Sequence, residues 1–327
     1  MWRWFFHDLI LMAFQMKWRW PRAIVWFLRV LVGGVFLASA LLKLYPIEPF
    51  ELTLIDVGLF SWRSAHFISR IIISVELFLG ILILANIHYQ KFTFPATLFL
   101  LIGFSIYIVY LLFVEGNEAD CGCLGAYMQL TPVESLLKNG TLLLAIMFLR
   151  SKGSELRPSW RWMTPIALAT IATPLILNPI QLNAHEEGSN TQKPYHIDLS
   201  SMPQPMDANA GIQLEKGEKI LAFFLVECSH CKDAAHKLAI VSKQYDMPEV
   251  FFVFKSDQKE VEEFIKASKS DLPYIIFKDR QIFEMTKGIF PTVLYINDGI
   301  VYKKWTGEML SNLEMEKFSD LKGRYLR

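Results

Sequence analysis

The four cysteines of this 327-residue chain fall into two close pairs, Cys121/Cys123 and Cys228/Cys231. A disulfide between residues two or three positions apart closes too small a loop to stabilise a fold, so a structural role is disfavoured. Closely spaced thiols instead suit thiol–disulfide exchange, in which a thiolate attacks a disulfide sulfur. For Cys121-Gly-Cys123, the ring would be strained and easily reduced, which favours redox use. Half of a metal site, or two unrelated thiols, is the alternative for this pair.

The second pair stands where a predicted strand gives way to a predicted helix. Cys228-Ser-His-Cys231 follows the apolar run 220–226 and opens the amphipathic segment 229–245. Because a helix N-terminus stabilises a thiolate, Cys228 is predicted to attack and Cys231 to resolve. His230 adds positive charge beside Cys228, which makes the pair more oxidising. A copper or zinc site built from these two cysteines and His230 is the alternative.

The sequence around Pro291 completes the predicted site. Gly288-Ile-Phe-Pro291-Thr292 precedes a strand-like run at 292–296, and a proline there indicates a cis peptide bond that faces the cysteines. Asn297-Asp298-Gly299 predicts a hairpin to a further strand at 300–305. Together with the strand at 250–254 and the helices at 258–268 and 310–325, these elements predict an α/β domain around one central sheet.

Residues 212–327 resemble the thioredoxin fold in this order of strand, Cys-x-x-Cys at a helix start, Phe290-Pro291-Thr292 and hairpin. The resemblance implies a thiol–disulfide redox domain with Cys228, Cys231, His230 and Pro291 at its site. The sequence departs from the thioredoxin pattern at Glu227 for Trp, Ser229 for Gly, His230 for Pro, and Ala222 where a buried acid is expected. The missing acid puts the usual internal proton shuttle in doubt, and Glu227 is the candidate replacement.

The first half of the chain is suited to a lipid bilayer. The composition is 53% hydrophobic with a net charge of +1, which excludes a disordered or nucleic-acid-binding protein. Residues 1–21, rich in Trp, Phe and Arg, are predicted to form an interfacial segment. Four spans of a membrane bundle are predicted within residues 22–150, and a fifth span follows a cytoplasmic loop within residues 151–182. The spans are 24–44, 68–88, 92–114, 132–149 and 162–181; a polar linker at 183–211 then leads to the α/β domain.

The distribution of basic residues predicts the orientation of these spans. Four basic residues precede the first span, Lys91 lies between the second and third, and four lie between the fourth and fifth. The loop at 45–67 has only Arg63, and the loop at 115–131 has none. By the positive-inside rule, the N-terminus is cytoplasmic and the loops at 45–67 and 115–131 face outward. With five spans, the C-terminal domain is also outside, so both cysteine pairs lie on the oxidising side of an inner (cytoplasmic) membrane.

Ionisable residues inside the spans require partners or a functional role. Lys43 and Arg70, near span ends, are expected to snorkel or to pair, whereas Glu76 is a candidate functional carboxylate. The run from Arg29 to Leu44, Glu76, the Cys-Gly-Cys loop and Lys138-Asn139 resemble DoxX-related membrane proteins of the MauE type over about residues 22–150. That resemblance implies a four-helix bundle associated with periplasmic disulfide formation, with Lys138 pointing toward the cysteines.

The sequence therefore predicts a membrane-bound thiol–disulfide oxidoreductase acting on periplasmic or other extracytoplasmic protein thiols and disulfides. Cys228/Cys231 would exchange disulfides with Cys121/Cys123, and the bundle would pass electrons onward, with Glu76 and Lys138 as candidate residues for binding a membrane quinone. The quinone rests on elimination, because no cysteine lies on a predicted cytoplasmic segment. Two alternatives stay open: an outward reductant-transfer system, and a transporter or metal-delivery protein with a thioredoxin-like binding module.

Overall fold

The structure is a computed structural model that describes residues 22–56, 58, 60–114, 116–117, 121–122, 130–151, 155–179, 193–206, 212–307, 310, 312 and 315. The predicted interfacial segment, Cys123, most of the linker and most of the predicted closing helix lie outside the described residues. The chain divides into two compact units. One comprises Met1–Tyr45 and Ile72–Pro174, and the other comprises Pro46–Ile71 and Leu175–Arg327.

Four helices of the described part are long and apolar enough to cross a membrane. They are α1 (Arg22–Leu44), α3 (Trp62–Ala85), α4 (Phe94–Val114, preceded by a π-helical turn at Tyr89–Thr93) and α5 (Pro132–Arg150). A short helix, α2 (Glu48–Asp56), lies between α1 and α3 in sequence. Helix α5 begins at the predicted capping box, since the Thr131 side chain accepts a hydrogen bond from the Glu134 amide and Glu134 bonds back.

Two glycines allow α1 and α3 to approach closely. A Cβ atom at Gly33 would lie 2.6 Å from Leu84 Cγ and 3.0 Å from the Gly80 carbonyl oxygen, which is too close for any side chain. Small residues at a crossing permit this kind of tight packing between membrane helices. The close approach brings polar residues of α1 and α3 into contact elsewhere along the same pair of helices.

The predicted fifth span corresponds to α6 (Met163–Leu177), which follows a 3₁₀ turn at Trp160–Trp162. With 15 residues, α6 is roughly 22 Å long, shorter than a hydrocarbon core of about 30 Å. It also contains Pro174, which removes one helical hydrogen bond. The described helix is therefore shorter than the predicted span, and a fifth crossing stays a prediction.

The second unit contains a six-stranded mixed sheet in the order β1-β6-β5-β2-β3-β4. Strands β2 and β3 are parallel, and β5 is antiparallel to both β2 and β6. The elements are β1 (Tyr195–His196), β2 (Glu218–Phe224), α7 (Ser229–Gln244), β3 (Glu249–Phe254), α8 (Gln258–Ala267), β4 (Tyr274–Ile276), α9 (Gln281–Thr286), β5 (Thr292–Asn297) and β6 (Ile300–Thr306). This arrangement confirms the predicted thioredoxin-like domain.

The domain begins earlier in the sequence than the predicted boundary at residue 212. Strand β1 pairs with β6, and Ile197, Leu199 and Met202 are buried in the same apolar core as Leu221 of β2. A two-residue edge strand in a polar stretch carries no hydrophobic periodicity, so the sequence pattern resembled a linker. The described part of residues 183–211 thus includes a structured portion of the domain.

Candidate redox site

Cys228 occupies the N-cap position of α7. Its backbone is extended (φ −87°, ψ 115°), and its sulfur accepts a hydrogen bond from the Cys231 amide at 3.2 Å. The amides of a first helical turn have no partner within the helix, so a sulfur atom takes the role that a Ser or Asp oxygen usually has. Cys228 is half-buried and carries a free thiol. The sulfur of Cys228 thus has a backbone hydrogen-bond donor and remains accessible to a reaction partner.

Cys231 is fully buried in the first turn of the same helix. Burial, together with the neighbouring sulfur of Cys228, raises the pKa of the Cys231 thiol above its ordinary value. Ala222, in the middle of β2, is also fully buried, so the acid that a thioredoxin-type domain would hold at this position is replaced by a methyl group. Cys228 is thus the more accessible of the two thiols, and the attacking and resolving roles stay a prediction.

The polar residues beside the two cysteines are exposed. Glu227, Ser229 and His230 all lie on the surface around Cys228. The carboxylate of Glu227 is therefore exposed to solvent, and its predicted part in proton transfer stays a prediction. His230 lies in the first turn of α7, and its predicted effect on Cys228 stays a prediction.

Pro291 lies at the end of the sheet that carries the cysteines. The Phe290–Pro291 peptide bond is cis, as predicted. Thr292 pairs with Phe223 in the antiparallel ladder between β5 and β2, so Pro291 stands next to the point where the chain leaves β2 for Cys228. The strand register thus brings Pro291 and the Cys-x-x-Cys segment to the same end of the sheet, where β2 ends and β5 begins.

Helix α7 contacts α2 and the first residue of α3 within the second unit. The Lys237 ammonium group donates to Glu48 Oε2 at 2.6 Å, and Trp62 Nε1 donates to Gln244 Oε1 at 3.0 Å. Lys237 and Trp62 are almost completely buried. Sequence patterns gave no sign of these contacts, because they join residues about 180 positions apart.

Glu51 is the centre of this contact region. Its carboxylate, 1% exposed, accepts from Arg70 Nη1 at 2.7 Å and from Asn312 Nδ2 at 3.1 Å, and lies 2.8 Å from His66 Nδ1. The Ser69 hydroxyl donates at 3.2 Å. Burial alone would raise the pKa of Glu51, but hydrogen bonds and positive charge from His66 and Arg70 hold it below its ordinary value. Arg70 is thus paired and buried, one of the two outcomes expected for it.

Cys121, the described member of the first pair, belongs to the other unit. Its sulfur lies 2.9 Å from the Ser135 hydroxyl oxygen in the first turn of α5, and both side chains are buried. Cys123 lies outside the described residues. Gly122 has φ +62°, a left-handed conformation that favours glycine between the two cysteines. Ser135 was not among the predicted site residues, and no sequence pattern distinguishes it from other serines.

Of the predicted ionisable residues of the bundle, Lys43 and Glu76 form an ion pair, and Lys138 lies on another helix. Lys43 Nζ lies 2.5 Å from Glu76 Oε1, and the Ser39 hydroxyl donates to the same carboxylate at 3.3 Å. Lys43 and Glu76 are both almost completely buried. Lys138 is half-buried, whereas its neighbours Ser135 and Asn139 are buried on the inner side of α5. Lys43 therefore pairs and does not snorkel, and the quinone role of Glu76 and Lys138 remains a prediction.

The metal alternative has no preformed site in the described part of the chain. Among the described residues, no group of three or more His, Cys, Asp or Glu side chains is arranged to hold a metal ion. Cys228 instead caps helix α7, and Cys231 is fully buried in its first turn.

Fold and site together define a membrane protein with a thioredoxin-like C-terminal domain. Residues 21–151 match the family described as "Methylamine utilisation protein MauE", so this part of the chain is a MauE-type membrane domain. Over 332 aligned positions, the chain is 28% identical to Protein TlpB of Flavobacterium psychrophilum, covering 86% of this chain and 90% of TlpB. The similarity to TlpB thus extends over both parts of the chain.

Two solved structures are also similar. StoA of Bacillus subtilis is 25% identical and the match covers 32% of this chain and 84% of StoA, with a TM-score of 0.27. The thioredoxin domain of a thiol-disulfide oxidoreductase from Bacteroides vulgatus is 19% identical, with 32% and 81% covered and a TM-score of 0.26.

Proposed function

We propose that this chain is a membrane-bound thiol–disulfide oxidoreductase in which Cys228/Cys231 exchanges disulfides with extracytoplasmic proteins and with Cys121/Cys123. The observation that carries the proposal is the contrast between the two thiols of α7. Cys228 caps the helix and is accessible, whereas Cys231, one turn further on, is fully buried. This is the arrangement that thiol exchange requires, since one sulfur must reach a partner and the other must then displace it.

Chain connectivity supports a location of both pairs on one side of the membrane. If α1, α3, α4 and α5 each cross the bilayer, the segment that joins α1 to α3 and the segment that joins α4 to α5 are on the same side. Helix α2 is in the first of these segments and Cys121 is in the second. Because α7 contacts α2 through Lys237 and Glu48, the domain that carries Cys228 belongs on that side too.

The contacts of α6 support a fifth crossing. Before α6 begins, the Pro158 carbonyl lies 2.7 Å from His88 Nε2, at the loop that follows α3. Just after α6 ends, the Asn178 carbonyl accepts from Arg70 Nε at 3.0 Å, near the opposite end of α3. The residues that flank α6 thus contact the loop after α3 on one side and Arg70 of α3 on the other, which supports a return to the outer side.

The exchange with the membrane pair is a balanced thiol–disulfide reaction. A Cys228 thiolate attacks one sulfur of a Cys121–Cys123 disulfide, and the S–S bond breaks to release the other sulfur as a thiolate. The Cys231 thiolate then attacks the Cys228 sulfur and releases the membrane cysteine. The Cys228/Cys231 pair has lost two electrons and the Cys121/Cys123 pair has gained them. The reverse sequence would supply reductant to the outer side.

A membrane quinone is the proposed onward acceptor, since a quinone takes up two electrons and two protons when it is bound and reduced. Glu76 and Lys138 are the candidate residues that would bind it. The carboxylate of Glu76 is engaged by Lys43 and Ser39, so a quinone oxygen would compete with an existing ion pair. Lys138, half-buried one turn from Ser135, is the candidate hydrogen-bond donor to the quinone.

Single-turnover and multiple-turnover assays separate the roles of the two pairs. In liposomes that contain the full chain and a quinone, oxidation of a reduced model protein should proceed for many turnovers. We expect Cys228→Ser to abolish even the first turnover and a Cys121→Ser/Cys123→Ser variant to permit one turnover only. Multiple turnovers in the absence of Cys121 and Cys123 would contradict the proposal.

The redox state of both pairs in cells gives the direction of electron flow. Mostly oxidised pairs indicate an oxidase, and mostly reduced pairs indicate a reductant-transfer system. Stoichiometric bound metal in the purified protein, without thiol exchange activity, would favour the metal-delivery alternative.

A further inference from the structure

The contact between Cys121 and Ser135 distinguishes the two sulfurs of the membrane pair. Cys121 is 2% exposed and Ser135 is fully buried, and 2.9 Å separates Sγ from Oγ. Either atom can donate when Cys121 is a thiol. Once Cys121 is a thiolate it can only accept, so the Ser135 hydroxyl must donate to it. A hydrogen bond to a charged acceptor is stronger than one between neutral groups.

The position of Ser135 adds a second stabilising effect. Its backbone N–H already donates to the Thr131 carbonyl, and it belongs to the first turn of the 19-residue helix α5. The partial positive charge at this end of the helix favours an anion. The capping box between Thr131 and Glu134 fixes where the helix begins, and therefore fixes the hydroxyl group beside Cys121.

We propose that Cys121 is the leaving sulfur of the membrane disulfide, that Ser135 stabilises it as a thiolate, and that Cys123 is the sulfur attacked. This inference rests on the proposed function. An attacking thiolate must approach in line with the S–S bond on the side opposite the leaving sulfur. Attack on Cys123 needs no access to Cys121, whereas attack on Cys121 would need access to a sulfur that is only 2% exposed. The Cys228 thiolate forms the new bond to Cys123, and the electron pair of the broken bond goes to Cys121.

A test with glutathione does not depend on exchange between the two pairs. The full chain carrying Cys228→Ser and Cys231→Ser is oxidised at Cys121/Cys123 and treated briefly with reduced glutathione. It is then alkylated and analysed by peptide mapping. We expect glutathione on Cys123 and the alkylating group on Cys121. Glutathione on Cys121 with Cys123 alkylated would overturn the assignment.

Ser135→Ala tests the role of the hydroxyl group as a positioning residue. Loss of a hydrogen bond to a charged group should slow the attack on the membrane disulfide by about 10- to 100-fold. The pH profile of the rate at which Cys121 is alkylated should also shift to higher pH, and a purely structural defect would not produce this shift. Ser135→Thr, which keeps a hydroxyl group, should restore both values in part. Ser151→Ala, at the opposite end of α5, is the matched control and should match wild type.

The outcomes separate this inference from the proposed function. A mixed disulfide of Cys228 with Cys121 in a Cys231→Ala variant would overturn the inference and leave the exchange between pairs intact. If Cys228 forms no crosslink with either membrane cysteine while glutathione still maps to Cys123, the exchange between the pairs is overturned. The assignment of Cys121 as the leaving sulfur then stays intact. Wild-type rates and an unchanged pH profile in a folded Ser135→Ala variant would exclude the role of Ser135.

Discussion

Replacing Glu51 by Gln should destabilise the packing of helix α2 against α3 and against Asn312. The substitution keeps the shape of the side chain but removes the charge that Arg70 and His66 share. Arg70 is 6% exposed, so it would remain as a buried cation without its carboxylate. Breaking a buried ion pair on one side costs about 3–5 kcal/mol, and we expect about 3 kcal/mol because the amide oxygen still accepts one hydrogen bond.

Thermal unfolding of the full chain in detergent measures this loss. For a unit of 150–250 residues, 3 kcal/mol corresponds to a decrease of about 6–12 °C in Tm. Asp257→Asn is the matched control, because it removes a carboxylate from an exposed ion pair with Lys278. An exposed pair contributes no more than about 1 kcal/mol, so this control should change Tm by less than about 4 °C.

The pH dependence gives a second check with a definite sign. The pKa of Glu51 is lower in the folded chain than its ordinary value, so the unfolded chain binds a proton more readily. The stability from the ionised carboxylate is complete above the unfolded pKa of about 4.3 and is lost as the pH falls through the folded value. The difference between wild type and Glu51→Gln should therefore narrow on acidification. The role of Glu51 would be refuted if the difference in Tm between wild type and Glu51→Gln widened on acidification. It would also be refuted if Glu51→Gln lowered Tm at neutral pH by no more than Asp257→Asn does.

Three further predictions follow from burial and chain direction. Iodoacetamide should modify Cys228 at least about tenfold faster than Cys231, because Cys231 is fully buried and its pKa is raised; equal rates by peptide mapping would contradict this. Lys43→Met should destabilise the bundle by about 3–5 kcal/mol in denaturant titrations, whereas Lys43→Met with Glu76→Leu should recover most of the loss; a double variant as unstable as the single one would be inconsistent with a simple ion pair. Reporters active only outside the cytoplasm should work after residues 125 and 327 and fail after residue 155; a cytoplasmic signal at residue 327 would exclude a fifth crossing.

The thioredoxin-like fold could be predicted because its signals are local. The Asp298-Gly299 hairpin, the apolar run that became β2 and the cysteine that caps α7 each depend on neighbours in sequence. The structure reproduces them within one or two residues. Strand β1 was missed because its two residues bury little apolar surface, and its stability comes from pairing with β6, about 100 positions away.

The contacts around the site could not be predicted from a single sequence. Glu51, Arg70 and Asn312 are brought together by tertiary packing, and nothing in their spacing links them. The same holds for Ser135 and Cys121, which are 14 residues apart across a loop. Glu76 could be singled out because a carboxylate inside an apolar helix needs a partner. The sequence did not identify Lys43 as that partner, because a lysine near the end of a span can either snorkel or form an ion pair.

The central claim is that the two cysteine pairs exchange disulfides with each other. Non-reducing peptide mapping of a full-length Cys231→Ala variant, under conditions in which the wild type turns over, tests it most directly. Without Cys231, the mixed disulfide can no longer be resolved in the forward direction, so we expect a crosslink between Cys228 and Cys123 to accumulate. A variant that traps substrate proteins on Cys228 but never this loop would mean that the two pairs serve separate partners.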